Sequence, residues 1–324
     1  MYNFLYCFDS NYNIQAAVSI SSLAEKLEDK ANFYIIHNDP QSFRSHLKKI
    51  KKFKNINTID VFKFKDTEHD FPNLNEVHVS QATYFRMFIE NYIPKSIEHL
   101  IYIDPDIVCL DNPTEMFDDI IVKMVERKLP LAGLTEGTVD TSATYFKNLG
   151  MKNDKYFNAG MIVIDFHHWV NQHTLKKLLQ IMKKNYHRII YWDQDIMNLH
   201  FDGNYLEIPR SMNYTPADGV TMSEEKTYFH HYAGSKKPWY FENVFNDISE
   251  YYQQAYKNLF NNKFHVTIKF KKHEVRKDNT QGTVKLTDLL LRMNKEKKRE
   301  KQINFFLSVA AVSFVSVFGI ILTI

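Results

Sequence analysis

The chain has 324 residues, of which 44% are hydrophobic and 24% charged, and its formal net charge is +3. This composition is ordinary for a soluble enzyme core, and the length allows one large α/β domain with an appendage. The charge is uneven, because residues 264–302 hold 12 Lys or Arg against 5 Asp or Glu and leave residues 1–263 at −4. An acidic main body argues against nucleic acid as a partner, whereas the basic tail favours an anionic surface.

Strand-like apolar runs alternate with segments of helical periodicity along most of the chain. This alternation predicts an α/β fold whose sheet is mostly parallel and flanked by helices. Apolar stripes at 3.6-residue spacing predict the helices themselves. The predicted strands are residues 2–8, 33–37, 100–104, 131–134 and 161–165, and the predicted helices are residues 16–27, 81–92, 175–186 and 241–260.

The last 22 residues, 303–324, contain no charged side chain. A helix needs about 20 apolar residues to cross a bilayer, so this segment predicts a C-terminal membrane anchor, with a buried hairpin or core helix as the alternative. The Lys and Arg excess before it marks the cytoplasmic side. An apolar stripe within residues 286–293 predicts a short amphipathic helix on the membrane interface, or else a solvated linker.

These features predict three parts. Residues 1–263 form the main domain, residues 264–302 form a basic juxtamembrane segment, and residues 303–324 form a single-pass transmembrane helix. We therefore expect the main domain on the cytoplasmic face of the cell membrane, held by the C-terminal helix and the basic segment.

Two carboxylates one residue apart follow an apolar run in IYIDPDIVCL, residues 101–110. Side chains two positions apart in an extended segment lie on the same face, so Asp104 and Asp106 can reach one cation whose open positions a diphosphate fills. The same residues also suit a turn, because Pro105 presets its own φ and Asp is common beside proline.

A second polar run, HYAGSKKPW, begins at His231. A neutral imidazole can complete the coordination of a cation that two carboxylates already hold, and it favours a transition metal over Mg²⁺. Gly234 lets the backbone approach a phosphate, and Lys237 supplies a positive charge for it. Such a run alone is also typical of a polar surface. Together with Asp104 and Asp106 it predicts a metal and diphosphate site.

Six motifs in the same order resemble glycosyltransferase family 8, whose members are retaining transferases that use sugar nucleotides. The resemblance covers about residues 1–240 and implies the GT-A fold, with a Rossmann-type mixed sheet. The motifs are FDSNY at 8–12, SQATYFRMFI at 80–89, IYIDPDIVCL at 101–110, FNAGMIVID at 157–165, WDQDIMN at 192–198 and HYAGSKKPW at 231–239.

The resemblance implies a metal site at three positions. Asp104, Asp106 and His231 correspond to the ligands of Mn²⁺, with Mg²⁺ as an alternative, and the ion also holds both phosphates of a UDP-sugar. It would act as a Lewis acid that offsets the charge building on the leaving diphosphate. Gly234 and Lys237 correspond to further phosphate contacts.

Other matched positions imply contacts with the rest of the donor. Asp9, Asn11 and Tyr12 correspond to the part of the family that holds the uridine, beyond the carboxyl end of the first strand, where open sheets bind nucleotides. Arg86 corresponds to a contact with the donor sugar and diphosphate, and Asn158 to an amide beside the sugar. A surface arginine and a turn-capping asparagine are the alternatives.

Asp193 and Gln194 match the family's sugar-hydroxyl carboxylate and the group nearest the far face of the reactive carbon. An amide lacks the anionic oxygen that covalent glycosyl intermediates use. These residues therefore favour front-face displacement, in which Gln194 positions and stabilises charge. Asp195 is an alternative base or nucleophile, or else a cap for the helix that starts there.

The chain departs from the family after the strand of residues 131–134. Many members carry there an aspartate that touches the donor sugar, but this chain reads AGLTEG. Thr135 or Glu136 would have to substitute, so the hexose, glucose or galactose, stays open.

The main hypothesis is a Mn²⁺-dependent hexosyltransferase that moves a sugar from a UDP-hexose to a glycan, glycolipid or glycoprotein acceptor. A metal-dependent nucleotidyltransferase also needs clustered carboxylates, but no glycine-rich, basic phosphate loop follows the first strand. A catalytically silent sugar-nucleotide-binding scaffold is the third hypothesis. The intact set of metal and phosphate residues argues against it.

Overall fold

The computed structural model describes residues 1–66, 68–74, 80–136, 145–215 and 226–267. The chain divides into two compact units, with the boundary between Ser235 and Lys236. The predicted juxtamembrane helix and membrane anchor lie outside the described residues. Within the described ranges, no helix is long and apolar enough to cross a membrane.

The first unit is built on a seven-stranded sheet and a separate two-stranded sheet. The strands are β1 (Asn3–Phe8), β2 (Ala31–His37), β3 (Ile56–Lys63), β4 (His99–Ile103), β5 (Ile107–Cys109), β6 (Leu131–Thr135), β7 (Phe157–Asp165), β8 (Leu206–Glu207) and β9 (Phe229–His231). The order in the large sheet is β3-β2-β1-β4-β7-β6-β8. Strand β7 is antiparallel to β4 and β6, and the other neighbours are parallel. The prediction of a mixed, mostly parallel sheet is confirmed.

Helices precede or follow most strands of the large sheet. They are α1 (Asn13–Lys26), α2 (Pro40–Ile50), α3 (Thr114–Arg127), α4 (Phe166–Asn171), α5 (Thr174–Asn185), α6 (Trp192–Phe201) and, in the second unit, α7 (Glu250–Phe260). Short 3₁₀ helices occupy Ser10–Tyr12, Gln81–Asn91, Arg210–Met212 and Asp247–Ser249. The predicted α1 and α5 agree with the structure to within three residues. Helices α2 and α3 and strand β3 were not predicted.

Two predicted helices differ from the structure. The stripe over residues 81–92 forms a 3₁₀ helix that bends at Phe88, not an α-helix. Seven of its residues are buried, so packing on several sides decides its shape, whereas the prediction assumed one buried stripe. The predicted helix over residues 241–260 begins only at Glu250, after turns and a short 3₁₀ segment.

The central strands are buried almost throughout. Every residue of β7 except Asp165 is buried, which fits a strand covered on both faces. Cys7 and Cys109 are both buried and free. Because β1 and β4 are parallel neighbours, residues that follow them meet at one edge of the sheet. This edge carries the candidate site.

The second unit has a buried histidine of its own. The Tyr252 hydroxyl on α7 lies 2.6 Å from His265 Nδ1, and the Gln253 amide bonds both the N–H and the C=O of His265. Burial lowers the pKa of His265 from 6.5 to about 3.

Replacing His265 by Asn is expected to remove an acid-sensitive part of the stability. The folded protein keeps this imidazole neutral, whereas the unfolded chain binds a proton below pH 6.5. The free energy of unfolding therefore falls as the pH falls from 6.5 towards 3. Chemical unfolding at pH 7 and pH 4.5 should show that wild type loses about 2–3 kcal/mol more than the variant, and equal losses would contradict the assignment.

Candidate active site

Asp104 and Asp106 lie in the turn that follows β4. The Asp104 N–H donates to Gly160 O over 2.7 Å, which continues the pairing with β7 by one residue. The Ile107 N–H donates to Asp104 O over 3.2 Å and closes the turn around Pro105. These bonds confirm the turn interpretation of D-P-D, and the turn itself brings the two carboxylates together. The metal interpretation stays a prediction.

His231 reaches these carboxylates through strand pairing. Strand β9 is antiparallel to β5, and His231 lies opposite Ile107, directly after Asp106. His231 Nε2 is 3.4 Å from Asp106 Oδ1 and 4.0 Å from Asp104 Oδ2. One ligand atom from each of the three residues lies within 4.8 Å of the other two. Side chains far apart in the sequence thus form one Asp-Asp-His cluster.

The cluster suits a divalent cation in its donor chemistry and in its shape. Two carboxylate oxygens and one imidazole nitrogen form a mixed set that accepts Mn²⁺ or another first-row ion. The lack of a side chain at Gly160 keeps the space open: a Cβ there would lie 2.3 Å from His231 Cε1 and 3.0 Å from Asp104 Oδ2. Burial raises the pKa of Asp104, and the neighbouring Asp106 carboxylate raises it further, while Arg86 lowers it. A cation would relieve this repulsion.

Replacing Gly160 by Ala is expected to weaken Mn²⁺ binding about tenfold or more, because the added methyl group overpacks the cluster. Gly133→Ala is the matched control, since a Cβ there meets only the Phe157 side chain, at 3.2 Å or more. Titration with Mn²⁺, followed by the electron paramagnetic resonance signal of the free ion, measures both variants. Equal affinities for Gly160→Ala and wild type would contradict this role.

Arg86 links the cluster to Asp193. Its Nε lies 2.5 Å from Asp193 Oδ2, its Nη1 lies 3.4 Å from Asp104 Oδ1, and it also donates to Ala159 O. Both Arg86 and Asp193 are buried, and burial raises the pKa of Asp193 to about 6 although Arg86 lowers it. The arginine is therefore not a surface residue. Its charge compensates for two carboxylates in the interior.

Gln194 is held in one orientation near the start of α6. Its Oε1 accepts the Ala159 N–H over 2.9 Å, and its Nε2 donates to Glu136 Oε2 over 3.0 Å and to Tyr156 over 3.2 Å. Asn158 Nδ2 donates to the other oxygen of Glu136 over 2.5 Å. The structure thus brings Gln194, Asn158 and Glu136 together.

Of the two proposed substitutes for the family's aspartate, Glu136 lies in this cluster and Thr135 does not. The Thr135 hydroxyl lies 2.6 Å from the Tyr205 hydroxyl and also bonds Glu207 on β8. The Thr135 hydroxyl therefore bonds residues at the edge strand of the sheet, and not Asn158 or Gln194.

Asp195 has a structural role. It is fully buried, and four donors surround its carboxylate: the Tyr145 and Tyr156 hydroxyls at 2.6 Å and the Ile190 and Tyr191 N–H groups at 2.7 and 2.8 Å. These bonds hold the chain that enters α6, which agrees with the capping interpretation. These four donors argue against Asp195 as a base or nucleophile, and that alternative stays a prediction.

The residues predicted to hold uridine follow β1. The Asp9 carboxylate accepts a hydrogen bond from the Asn11 N–H over 2.9 Å. The Asp9 carbonyl oxygen accepts another from the Tyr12 N–H over 3.0 Å. The motif therefore forms a compact 3₁₀ turn beside the end of β4. Its contact with a nucleotide stays a prediction.

Gly234 and Lys237 lie on opposite sides of the boundary between the units. Gly234 has φ +74°, a conformation that side chains rarely adopt, so the glycine is required by the backbone. Lys237 belongs to the second unit, where it is buried with its Nζ 5.9 Å from the centre of the Trp239 ring. Their phosphate contacts stay predictions.

The sequence did not point to Asn213. It is buried beside the cluster, where His231 Nδ1 lies 2.8 Å from its Oδ1 and its Nδ2 donates to Asn158 Oδ1 over 3.0 Å. Nothing in the surrounding residues RSMNYT forms a motif, so only the fold identifies this asparagine.

Residues 3–243 match the model of Glycosyl transferase family 8. A lipopolysaccharide 1,3-galactosyltransferase of Salmonella typhimurium is 27% identical over 274 residues, covering 79% of this chain and 78% of the relative. A lipopolysaccharide 1,2-glucosyltransferase of Escherichia coli is 27% identical over 278 residues, covering 79% and 78%. A crystal structure of the galactosyltransferase LgtC with donor and acceptor sugar analogs superposes with a TM-score of 0.68 at 20% identity, covering 80% of this chain and 96% of LgtC.

The sheet, its order and the cluster at its carboxyl edge define a glycosyltransferase of the GT-A type. The family match extends over most of the first unit and into the second. The chain belongs to glycosyltransferase family 8, and it is a glycosyltransferase.

Proposed function

We propose that this enzyme transfers glucose or galactose, with retention, from a UDP-hexose to a glycan, glycolipid or glycoprotein acceptor, and that Asp104, Asp106 and His231 hold the Mn²⁺ it uses. The observation that carries the proposal is the largely buried Asp-Asp-His cluster, which Arg86 joins to Asp193. Two relatives named as lipopolysaccharide galactosyl- and glucosyltransferases support a hexose donor and a cell-surface acceptor.

When bound, the metal supplies Lewis-acid stabilisation to the leaving diphosphate. The residues of the chain supply binding and orientation. The Arg86 guanidinium adds a fixed positive charge beside Asp104, which favours an anionic diphosphate at this end of the site. Asp9, Asn11 and Tyr12 would bind the uridine, and the donor would extend from there towards the cluster.

Glu136, Asn158 and Asp193 provide the carboxylates and amide that would bind sugar hydroxyls. Gln194 is held by the Ala159 N–H and by Glu136, so its amide presents a fixed dipole and no anionic oxygen. This arrangement supports front-face displacement, in which the leaving phosphate helps to remove the proton of the acceptor hydroxyl. In this mechanism Gln194 stabilises positive charge on the sugar as the bond to phosphate breaks.

A screen of UDP-sugars tests the proposal. The melting temperature of the full chain in detergent should rise with UDP-glucose or UDP-galactose when Mn²⁺ is present, and it should rise less when EDTA replaces Mn²⁺. GDP-mannose and ADP-glucose serve as controls for the base. The reaction with a lipopolysaccharide or oligosaccharide acceptor should then give a product with the anomeric configuration of the donor. Absence of any Mn²⁺-dependent binding or hydrolysis of UDP-hexoses would overturn the proposal.

We also propose that the chain acts at the cytoplasmic face of the cell membrane through residues 264–324. The support is the charge-free sequence over 303–324 and the basic sequence before it. In cell fractionation, the full chain should stay in the membrane fraction when the membranes are washed with high salt. A chain that ends at residue 302 should be released by salt, because it loses the charge-free segment and is held mainly by the electrostatic attraction of its basic residues.

A further inference from the structure

A line of hydrogen-bonded side chains runs from the half-buried Glu136 to the buried His231. Asn158 Nδ2 donates to Glu136, and Asn158 Oδ1 accepts both the Gly160 N–H at 2.8 Å and Asn213 Nδ2 at 3.0 Å. Asn213 Oδ1 in turn lies 2.8 Å from His231 Nδ1. These contacts form a relay of two amides between a carboxylate and the imidazole.

The backbone sets the direction of every bond in this relay. The Gly160 N–H can only donate, so the atom of Asn158 beside it must be the carbonyl oxygen. The Glu136 carboxylate on the opposite side requires the same orientation, because it accepts from the amide nitrogen of Asn158. The atom of Asn213 that faces Asn158 Oδ1 is then its nitrogen, which leaves Asn213 Oδ1 to face the imidazole.

This direction determines the tautomer of His231. An amide oxygen only accepts, so His231 Nδ1 must carry the proton. In the neutral ring, Nε2 then carries no proton and directs its lone pair to the side where Asp106 Oδ1 lies at 3.4 Å. A lone pair that faces carboxylate oxygens is unfavourable in the neutral ring and favourable when a cation lies between them.

The fold holds Asn213 firmly in place. Its N–H donates to Arg210 O over 3.1 Å at the end of a 3₁₀ turn, and the next residue, Tyr214, pairs with Phe229 at the start of β9. The Asn213 side chain is 1% exposed. Burying an amide costs free energy unless it is hydrogen-bonded. The Asn213 amide bonds a polar group on each side, so it does more than pack against its neighbours.

We propose that Asn213 is a positioning residue that holds His231 with Nε2 towards Asp104 and Asp106, ready to bind a divalent cation. The proposal rests on the metal site of the proposed function. A histidine ligand whose other nitrogen loses its partner is expected to bind metal about 10- to 100-fold more weakly. Asn213 itself touches neither metal nor substrate.

Two substitutions at residue 213 separate orientation from packing. Asn213→Leu has a similar size but no acceptor, and the dissociation constant for Mn²⁺ should rise at least about tenfold. Asn213→Asp keeps an acceptor for the Nδ1 proton and should stay within about threefold of wild type. Free Mn²⁺ is measured by electron paramagnetic resonance on the full chain with saturating UDP. Asn213→Ser, which is smaller and too short to reach Nδ1, replaces the Leu variant if that variant does not fold.

Asn55→Leu is the matched control, because Asn55 is also a buried amide but bonds Ala24 O and Leu27 O before β3, at the other edge of the sheet. It should lower the melting temperature and leave the Mn²⁺ affinity unchanged.

A second readout is turnover. The Mn²⁺ concentration for half-maximal rate should rise in Asn213→Leu, while the rate at saturating Mn²⁺ changes little.

The outcomes separate this inference from the function on which it rests. If wild type binds Mn²⁺ and Asn213→Leu binds it equally well, the positioning role is wrong and the metal site stands. If Asn213→Leu and Asn213→Asp weaken binding alike, the acceptor for the Nδ1 proton does not account for the loss, which also overturns the role. If wild type binds no Mn²⁺ with UDP, the proposed metal site fails and this inference fails with it.

Discussion

Replacing Asp106 by Asn is expected to lower turnover of the UDP-hexose donor at least about 1000-fold, which corresponds to about 4 kcal/mol of transition-state stabilisation. Asn keeps the size and the backbone turn but removes one of two charges in the cluster with Asp104 and His231. The site would then bind a cation weakly and would leave the charge on the departing diphosphate without its main counterion. Initial rates at several Mn²⁺ concentrations measure the effect.

Asp119→Asn provides the matched control. Asp119 lies on α3, is about half exposed and pairs with Lys123 over 2.6 Å. The change removes the same charge as Asp106→Asn and should leave turnover within about twofold of wild type. Thermal melting of both metal-free variants checks the fold. Wild-type turnover in Asp106→Asn, with unchanged dependence on Mn²⁺, would show that the cluster does not take part in the reaction.

Replacing Arg86 by Met is expected to lower the free energy of unfolding by about 3–5 kcal/mol and to abolish transfer. The guanidinium compensates Asp193 and Asp104 inside the protein, and both carboxylates would lose that compensation. Removal of one partner from a buried ion pair leaves an uncompensated charge, and the Thr83 hydroxyl, which donates to Asp193 over 2.6 Å, does not neutralise it. Chemical unfolding at pH 7 measures the loss. Arg127→Met, at the exposed end of α3, should change stability by less than about 0.5 kcal/mol.

The double variant Arg86→Met/Asp193→Leu distinguishes stability from function. With both partners replaced by apolar side chains, most of the lost stability should return, because one unpaired buried charge has been removed. Transfer should not return, since the proposed contacts with diphosphate and sugar are absent. A double variant that regains activity together with stability would show that the pair serves only the fold.

The features of this protein that depend on short-range sequence patterns were predictable. Apolar runs separated by helical stripes predicted the mixed α/β sheet, because strand and helix periodicity depend on neighbouring residues. The position of Asp104 and Asp106 at the exit of a strand was predictable for the same reason. The 3₁₀ helix around Arg86 was not, because its residues are buried on several sides and no single stripe describes them.

The sequence by itself determined the fold class, the family and the candidate ligands, since each is encoded in short motifs whose order along the chain is visible. Only the tertiary structure decided that Glu136 and not Thr135 joins Gln194, that Asp195 is enclosed, and that Asn213 directs His231. These contacts depend on the register of β9 against β5 and on the packing of α6 against the sheet. Such long-range pairing follows from how the whole chain closes, and no local pattern of residues specifies it.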